Sequence, residues 1–105
     1  MYDYKYLMNL KAMEKNSPKA VLLLKAMANE RRLFILCMLH DRELSVGELC
    51  QQLDLSQSAL SQHLAWLRRD GLVATRKEAQ TVYYSLSSTE VKRMIHLLHE
   101  MYCSE

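Results

Sequence analysis

Apolar residues recur along the chain at two periods, helical over most of its length and strand-like over a short stretch in its second half. Between Tyr4 and Lys15, Tyr6, Leu7, Leu10 and Met13 or Glu14 fall at helical spacing while Lys5, Lys11 and Lys15 fall on other faces, which predicts a first helix. Asn16-Ser17-Pro18 then reads as a fresh start. A serine N-cap satisfies free backbone N–H groups, and proline at the first helical position forfeits no hydrogen bond. A second helix is therefore expected to run to about Ala28. Asn29 can cap a third, in which Leu33, Leu36, Cys37 and His40 form one stripe and Ile35, Met38 and Leu39 widen it.

Ser45-Val46-Gly47-Glu48 matches the S-x-x-E capping box, in which serine and glutamate reciprocally satisfy backbone donors. The short helix it starts carries Val46, Leu49, Cys50 and Leu53 at i, i+3, i+4 and i+7. Asp54-Leu55-Ser56 interrupts that pattern with a new serine cap, and another helix follows from about Gln57 to Asp70. Its inner stripe is Leu60, Leu64 and Leu67; Gln57, Ser58, Ser61, Gln62, Ala65 and Arg69 lie largely on the other side. Gly71 supplies the stop. The period then changes to two in Leu72–Lys77 and Thr81–Leu86, which flank Glu78-Ala79-Gln80 and predict a hairpin. Ala79 stands where a hairpin tip often has glycine, so a longer, more open tip is expected. Ser87 or Ser88 can cap a closing helix with Val91, Met94, Ile95, Leu98 and Tyr102 on its stripe.

The pattern predicts a mainly α fold with a small β-hairpin in the order α-α-α-α-α-β-β-α, one winged helix-turn-helix domain over residues 1–105. Composition agrees, since 2 glycines and 1 proline in 105 residues are too few for an all-β chain of tight turns. So small a domain with half its residues apolar invites burial against a second copy, and a homodimer is expected. No apolar run approaches the roughly 20 residues of a membrane span, and MYDYKYLMNLKAMEK lacks the apolar core of a secretion signal, so the expected place is the cytoplasm. Cys37, Cys50 and Cys103 form no CxxC pair and are expected as thiols.

Two short capped helices joined by a tight turn and followed by a charged hairpin suit double-stranded DNA. The major groove admits one α-helix, and base edges are met there by short polar side chains. Gln57, Ser58, Ser61, Gln62 and His63 fit that task. Arg68, Arg69, Arg76 and Lys77, with Gln80 at the hairpin tip, would meet the phosphate backbone and release counterions. For any one of these residues the competing reading is an ordinary solvated face. A net charge of +2 decides little, so the distribution of charge carries the argument. An enzyme is the alternative from another class. However, a thiol peroxidase needs a low-pKa cysteine by a pocket, no phosphate loop can be built from Gly47 and Gly71, and no small-molecule substrate or cofactor is expected. A protein-interaction module without DNA is a third possibility.

The stretch SVGELCQQLDLSQSALSQHLAWLRRDGLVATRKEAQTVYYSL, preceded by LLKAMANERRLFILCML, resembles the ArsR/SmtB family of winged-helix regulators over nearly the whole chain. The resemblance implies a dimer formed through the first and last helices, the second helix of the motif in the major groove, and wings beside the backbone. Family members that sense metal carry a motif like ELCVCDL; Glu43-Leu44-Ser45-Val46-Gly47-Glu48-Leu49 lacks both thiols. At the family's second metal site the matching positions are Ser88, Glu90, Met101 and Ser104. His96 and His99 alone fall short of four ligands, so no metal is expected, and a metal-responsive repressor is the alternative function. The placement of Cys37 and Cys103 resembles the thiol-switch branch of the family, which implies modulation by oxidation. The competing reading makes Cys37 a small buried hydrophobe and Cys103 an idle thiol. Cys50, on an inward stripe, is expected only to pack. The nearest branch activates haemolysin genes, which implies activation of virulence genes.

Overall fold

The structure, a computed structural model, describes the backbone of residues 4–103 and the side chains of residues 9–103. The Lys5, Tyr6 and Leu7 side chains and Ser104, named above, lie outside the described residues. Its first element is one helix, α1 (Tyr4–Met27), where the sequence pattern predicts two. Pro18 does not break it, and the reason lies in the preceding side chains. Proline cannot donate to the carbonyl four residues back, but Ser17 Oγ donates to that carbonyl, on Glu14, at 3.1 Å. Asn16 Nδ2 likewise donates to Ala12 O at 2.9 Å. The residues expected to start a helix instead repair one.

The order thereafter is α2 (Glu30–Met38), β1 (Leu44–Ser45), α3 (Val46–Gln52), α4 (Gln57–Arg69), β2 (Val73–Glu78), β3 (Thr81–Leu86) and α5 (Thr89–Tyr102). The mainly α winged helix-turn-helix stands, with five helices among the described residues in place of six. Apart from Ser17, the predicted caps are made. Asn29 Oδ1 accepts from Arg32 N, and Ser45 and Glu48 complete both halves of the capping box. Ser56 and Ser88 open α4 and α5 by accepting from Ala59 N and Val91 N. Gly71, at φ +80°, ends α4, with Gly71 N bonded to Arg68 O and Leu72 N to Leu67 O, the paired bonds of a Schellman motif.

One core lies among α2, α3, α4, α5 and the base of the hairpin. It contains Ile35, Leu36, Leu39, Leu49, Leu60, Leu64, Leu67, Leu72, Val73, Leu86, Val91 and Ile95, and α1 contributes Ala26 and Met27 from its last turn. The buried centre of α2 is Ile35, Leu36 and Leu39; Leu33, Cys37 and His40, expected to lead the stripe, are half-buried. Tyr102, expected on the inner stripe of α5, is exposed. Most of α1 stands clear of this core, with Leu10, Met13, Val21, Leu22 and Leu24 in the open, and Leu97 and Met101 of α5 are exposed as well. No helix among the described residues is long and apolar enough to cross a membrane.

The sheet has the order β1-β3-β2, antiparallel throughout. Two-residue β1, paired as Leu44↔Tyr84 and Ser45↔Tyr83, is too short to leave a period in the sequence. The tip differs from expectation too. Glu78 pairs with Thr81, so Ala79 and Gln80 alone make a tight two-residue turn, with Ala79 at φ +55°. Hairpin closure overrides the preference of alanine, whose Cβ crowds a carbonyl in the left-handed region. Ala79→Gly is therefore expected to raise stability by about 0.5–1 kcal/mol, the relief of that crowding less the greater freedom of glycine in the unfolded chain. Urea unfolding of the two proteins measures the difference.

Candidate nucleic-acid interface

A helix turns about 100° per residue, so burying Leu60, Leu64 and Leu67 completely dictates what else α4 shows. Ser58, Gln62, Ala65 and Arg69 point directly away from the core, with Gln57, Ser61 and Arg68 beside them, and all are exposed. Ser58 Oγ lies 3.3 Å from the capping Ser56 Oγ, so its hydroxyl is oriented within the first turn. The structure thus brings Gln57, Ser58, Ser61 and Gln62 onto one convex polar surface. His63 is separate. It is half-buried on the flank of α4, and burial, then Arg32, then Arg31, lowers its pKa below the ordinary 6.5. It is a neutral imidazole at pH 7, offering a hydrogen bond rather than a charge.

The expected cations divide by what they already hold. Arg68 and Lys77 are exposed and make no ion pair among the described residues. Arg69 lies 3.3 Å from Asp70 Oδ1 and 5.2 Å from the Trp66 ring centroid. Arg76, expected on phosphate, is committed elsewhere. It meets Glu43 at 2.9 Å and Glu78 at 2.8 Å, and its guanidinium lies 4.8 Å over the Tyr83 ring. These bonds push the Arg76 pKa further up, and the hydrogen bond from Arg76 holds Glu43 below the usual carboxylate range. Alternation along β2 sends Lys77 to the opposite face, the one that carries Val73 and Leu86 into the core. Gln80 is exposed at the tip.

Sequence reasoning missed Arg31, Arg32 and Trp66. Arg31 Nη1 donates to Asp54 O at 3.0 Å, tying α2 to the α3–α4 turn. Arg32 donates from Nε to Ala26 O at 3.0 Å and lies 4.2 Å over the Trp66 ring. Within α2 these arginines look like a solvated charge pair, and only the distance from residue 32 to residue 66 hides their partner. Trp66 falls on the edge between the leucine and glutamine faces of α4, a position that periodicity leaves unassigned.

All three cysteines are free thiols; Cys37 and Cys50 are half-buried beside the core and Cys103 is exposed. Cys37 lies within electrostatic reach of Cys103. Burial raises the Cys37 thiol pKa, and the neighbouring Cys103 raises it further. Close by in the chain, His40 stacks on His99 with ring centroids 5.4 Å apart and tilts against His96 at 5.9 Å. Stacked rings present faces rather than lone pairs to a common point. Among the described residues no group of three or more His, Cys, Asp or Glu is arranged to hold a metal ion.

Residues 29–75 match the family model described as bacterial regulatory protein, arsR family. Over 96 residues the chain is 81% identical to the transcriptional activator HlyU of Vibrio cholerae serotype O1, covering 91% of this chain and 89% of that protein. A solved structure of HlyU from Vibrio cholerae superposes with a TM-score of 0.85 at 82% identity, over 88% of this chain and 100% of that one. The biofilm growth-associated repressor of Agrobacterium fabrum is 42% identical, covering 90% of this chain and 81% of that protein. A homodimeric winged helix-turn-helix DNA-binding domain from Mycobacterium bovis superposes with a TM-score of 0.73 at 27% identity, over 96% and 86% of the two chains.

The His63 shift has a measurable sign. Its pKa in the folded chain lies below its unfolded value, so its contribution to stability is complete above about pH 6.5 and is lost as pH falls from there through the lower folded-state pKa, a window in which the unfolded chain binds more of the proton. Arg31→Ala removes one repelling cation and is expected to move the His63 midpoint upward, read from its imidazole resonances in an NMR titration.

Proposed function

The chain belongs to the arsR family of bacterial regulatory proteins, and on that premise we propose that it is a DNA-binding transcription regulator, an activator that works as a homodimer in the cytoplasm. One observation carries the reading. The second helix of the helix-turn-helix buries its three leucines and leaves Gln57, Ser58, Ser61 and Gln62 exposed on a polar face. Glutamine can bond an adenine edge with both amide atoms, and the serines reach base or phosphate with little side-chain entropy lost. Arg68 at the end of α4 and Lys77 on the wing are the cations left for phosphates, with Gln80 at the tip and Arg69 beside Trp66.

The dimer is supported by apolar surface that the core leaves uncovered: Leu10, Met13, Val21, Leu22 and Leu24 on α1, and Leu97 and Met101 on α5. The Mycobacterium bovis domain is homodimeric. Activation follows the Vibrio cholerae relative, named an activator, rather than the more distant biofilm repressor. The chain acts by binding rather than by turnover, as its relatives are named regulators.

Each phosphate contact released by salt contributes about one unit to the slope of log affinity against log salt. Arg68→Ala and Lys77→Ala are each expected to reduce that slope by about one, and Arg76→Ala to leave it unchanged. Fluorescence anisotropy on duplex DNA across a salt series measures all three, and duplex binding insensitive to salt would remove the function proposed.

Oxidation is the proposed control. With peroxide as oxidant, exposed Cys103 attacks as thiolate, becoming a sulfenic acid and releasing hydroxide. The Cys37 thiolate then displaces a second hydroxide to form the disulfide. Because the Cys37 pKa is raised, its thiolate fraction limits closure. Disulfide formation is expected to accelerate steadily from pH 7 to 9 and to vanish in Cys37→Ser and Cys103→Ser, as followed by thiol titration and by operator affinity.

A further inference from the structure

Arg32 joins three elements. Its Nε donates to Ala26 O at 3.0 Å and its Nη2 to Lys25 O at 3.4 Å, two carbonyls of the last turn of α1, of which that of Lys25 also accepts from Ala28 N at 3.3 Å. Its guanidinium lies 4.2 Å over the ring of Trp66 in α4. Its own backbone N–H is held by Asn29 Oδ1 at the start of α2. We propose that Arg32 is a positioning residue for operator binding, which fixes the direction of the reading helix α4 relative to α1 and thereby the separation of the two reading helices in the dimer. The proposal rests on the DNA-reading function above.

The chemistry requires arginine. A guanidinium is flat, donates in its plane and offers its face to an aromatic ring, so one side chain can hold the α1 carbonyls and the indole in a fixed mutual orientation. Lysine carries the same charge but neither the plane nor the fork. Arg32 makes no ion pair among the described residues, so balancing a carboxylate is not its task. The two elements it joins have different duties in the dimer. Almost all of α1 before its last turn stands off the core with apolar side chains exposed, whereas α4 carries the polar reading face. A rotation of α4 about its leucine contacts would be multiplied across a dimer whose heads must meet half-sites about 34 Å apart. The Arg32–Trp66 contact sits on the edge of α4 where it opposes such a rotation.

The test uses the full-length dimer and an operator recovered by selection from randomised duplex DNA, together with a series in which its half-sites are moved apart or together one base pair at a time. Trp66 is the sole tryptophan, so its emission reports directly on the contact. Arg32→Lys is expected to remain dimeric by size-exclusion chromatography and to alter Trp66 emission. Its affinity for the best-spaced operator should fall about tenfold, with the salt slope unchanged and a flattened preference across the spacing series. Trp66→Leu should flatten the preference in the same way, and the double variant should lose no more than either single one. A uniform fall at every spacing would assign Arg32 a merely structural role and overturn the proposal. A slope reduced by about one in Arg32→Ala would make it a phosphate contact and overturn it equally. If the wild-type chain shows no salt-sensitive duplex binding, the function itself fails, a result distinct from both.

Discussion

The complete burial of Leu60, Leu64 and Leu67 is the constraint on which the rest of the molecule depends. Three leucines at helical spacing fix both the position and the rotation of α4, because turning the helix by one residue would expose one of them and drive a serine or glutamine into an apolar core. Exposing one leucine costs about 2 kcal/mol in lost burial alone, and an unpartnered amide costs as much again. The polar face is thus specified by its opposite. The capping box at Ser45, the serine cap at Ser56 and the paired bonds around Gly71 serve the same end, since they determine where α3 starts, where α4 begins and where the chain turns into the wing.

How much of this could be read from the sequence depended on how local the determining physics was. Caps, leucine stripes, the helix stop at Gly71 and the two long strands are set by neighbours a few residues apart, and their signals stand in the chain. The hairpin turn and the single α1 helix depart from the local signals for one shared reason. A locally disfavoured residue, Ala79 at positive φ or Pro18 inside a helix, is tolerated where its surroundings compensate, through strand pairing in one case and the Ser17 hydroxyl in the other. Residues that act at long range were invisible. Nothing between positions 32 and 66 announces that an arginine will lie over a tryptophan, and nothing near Arg76 announces Glu43, 33 residues earlier.

The comparison of Cys37 with Cys50 illustrates the same division. Both are half-buried against the core, and both sit on apolar stripes that explain them adequately as small hydrophobes. What sets Cys37 apart is that its thiol pKa is raised, first by burial and then by the exposed Cys103 at the end of α5. Packing and reactivity are thus not rival accounts of Cys37. Under the oxidation proposed above, the buried sulfur would stay protonated until the exposed one has reacted, so the order of events would follow from the burial difference.

The ion cluster on the outer face of the wing bears on how the molecule approaches a polyanion before any base is read. One guanidinium set against two carboxylates, Glu43 and Glu78, leaves that face with a net negative charge, whereas Lys77 projects from the reverse side of the same ribbon. In the field of a duplex such a ribbon behaves as a keel, repelled along one side and drawn along the other. Collisions that begin wing-first with the acidic side inward would be turned away, and those that persist would already have the wing in a single rotational setting. A wing so charged would shorten the orientational search at encounter, a kinetic contribution independent of any specific contact at equilibrium.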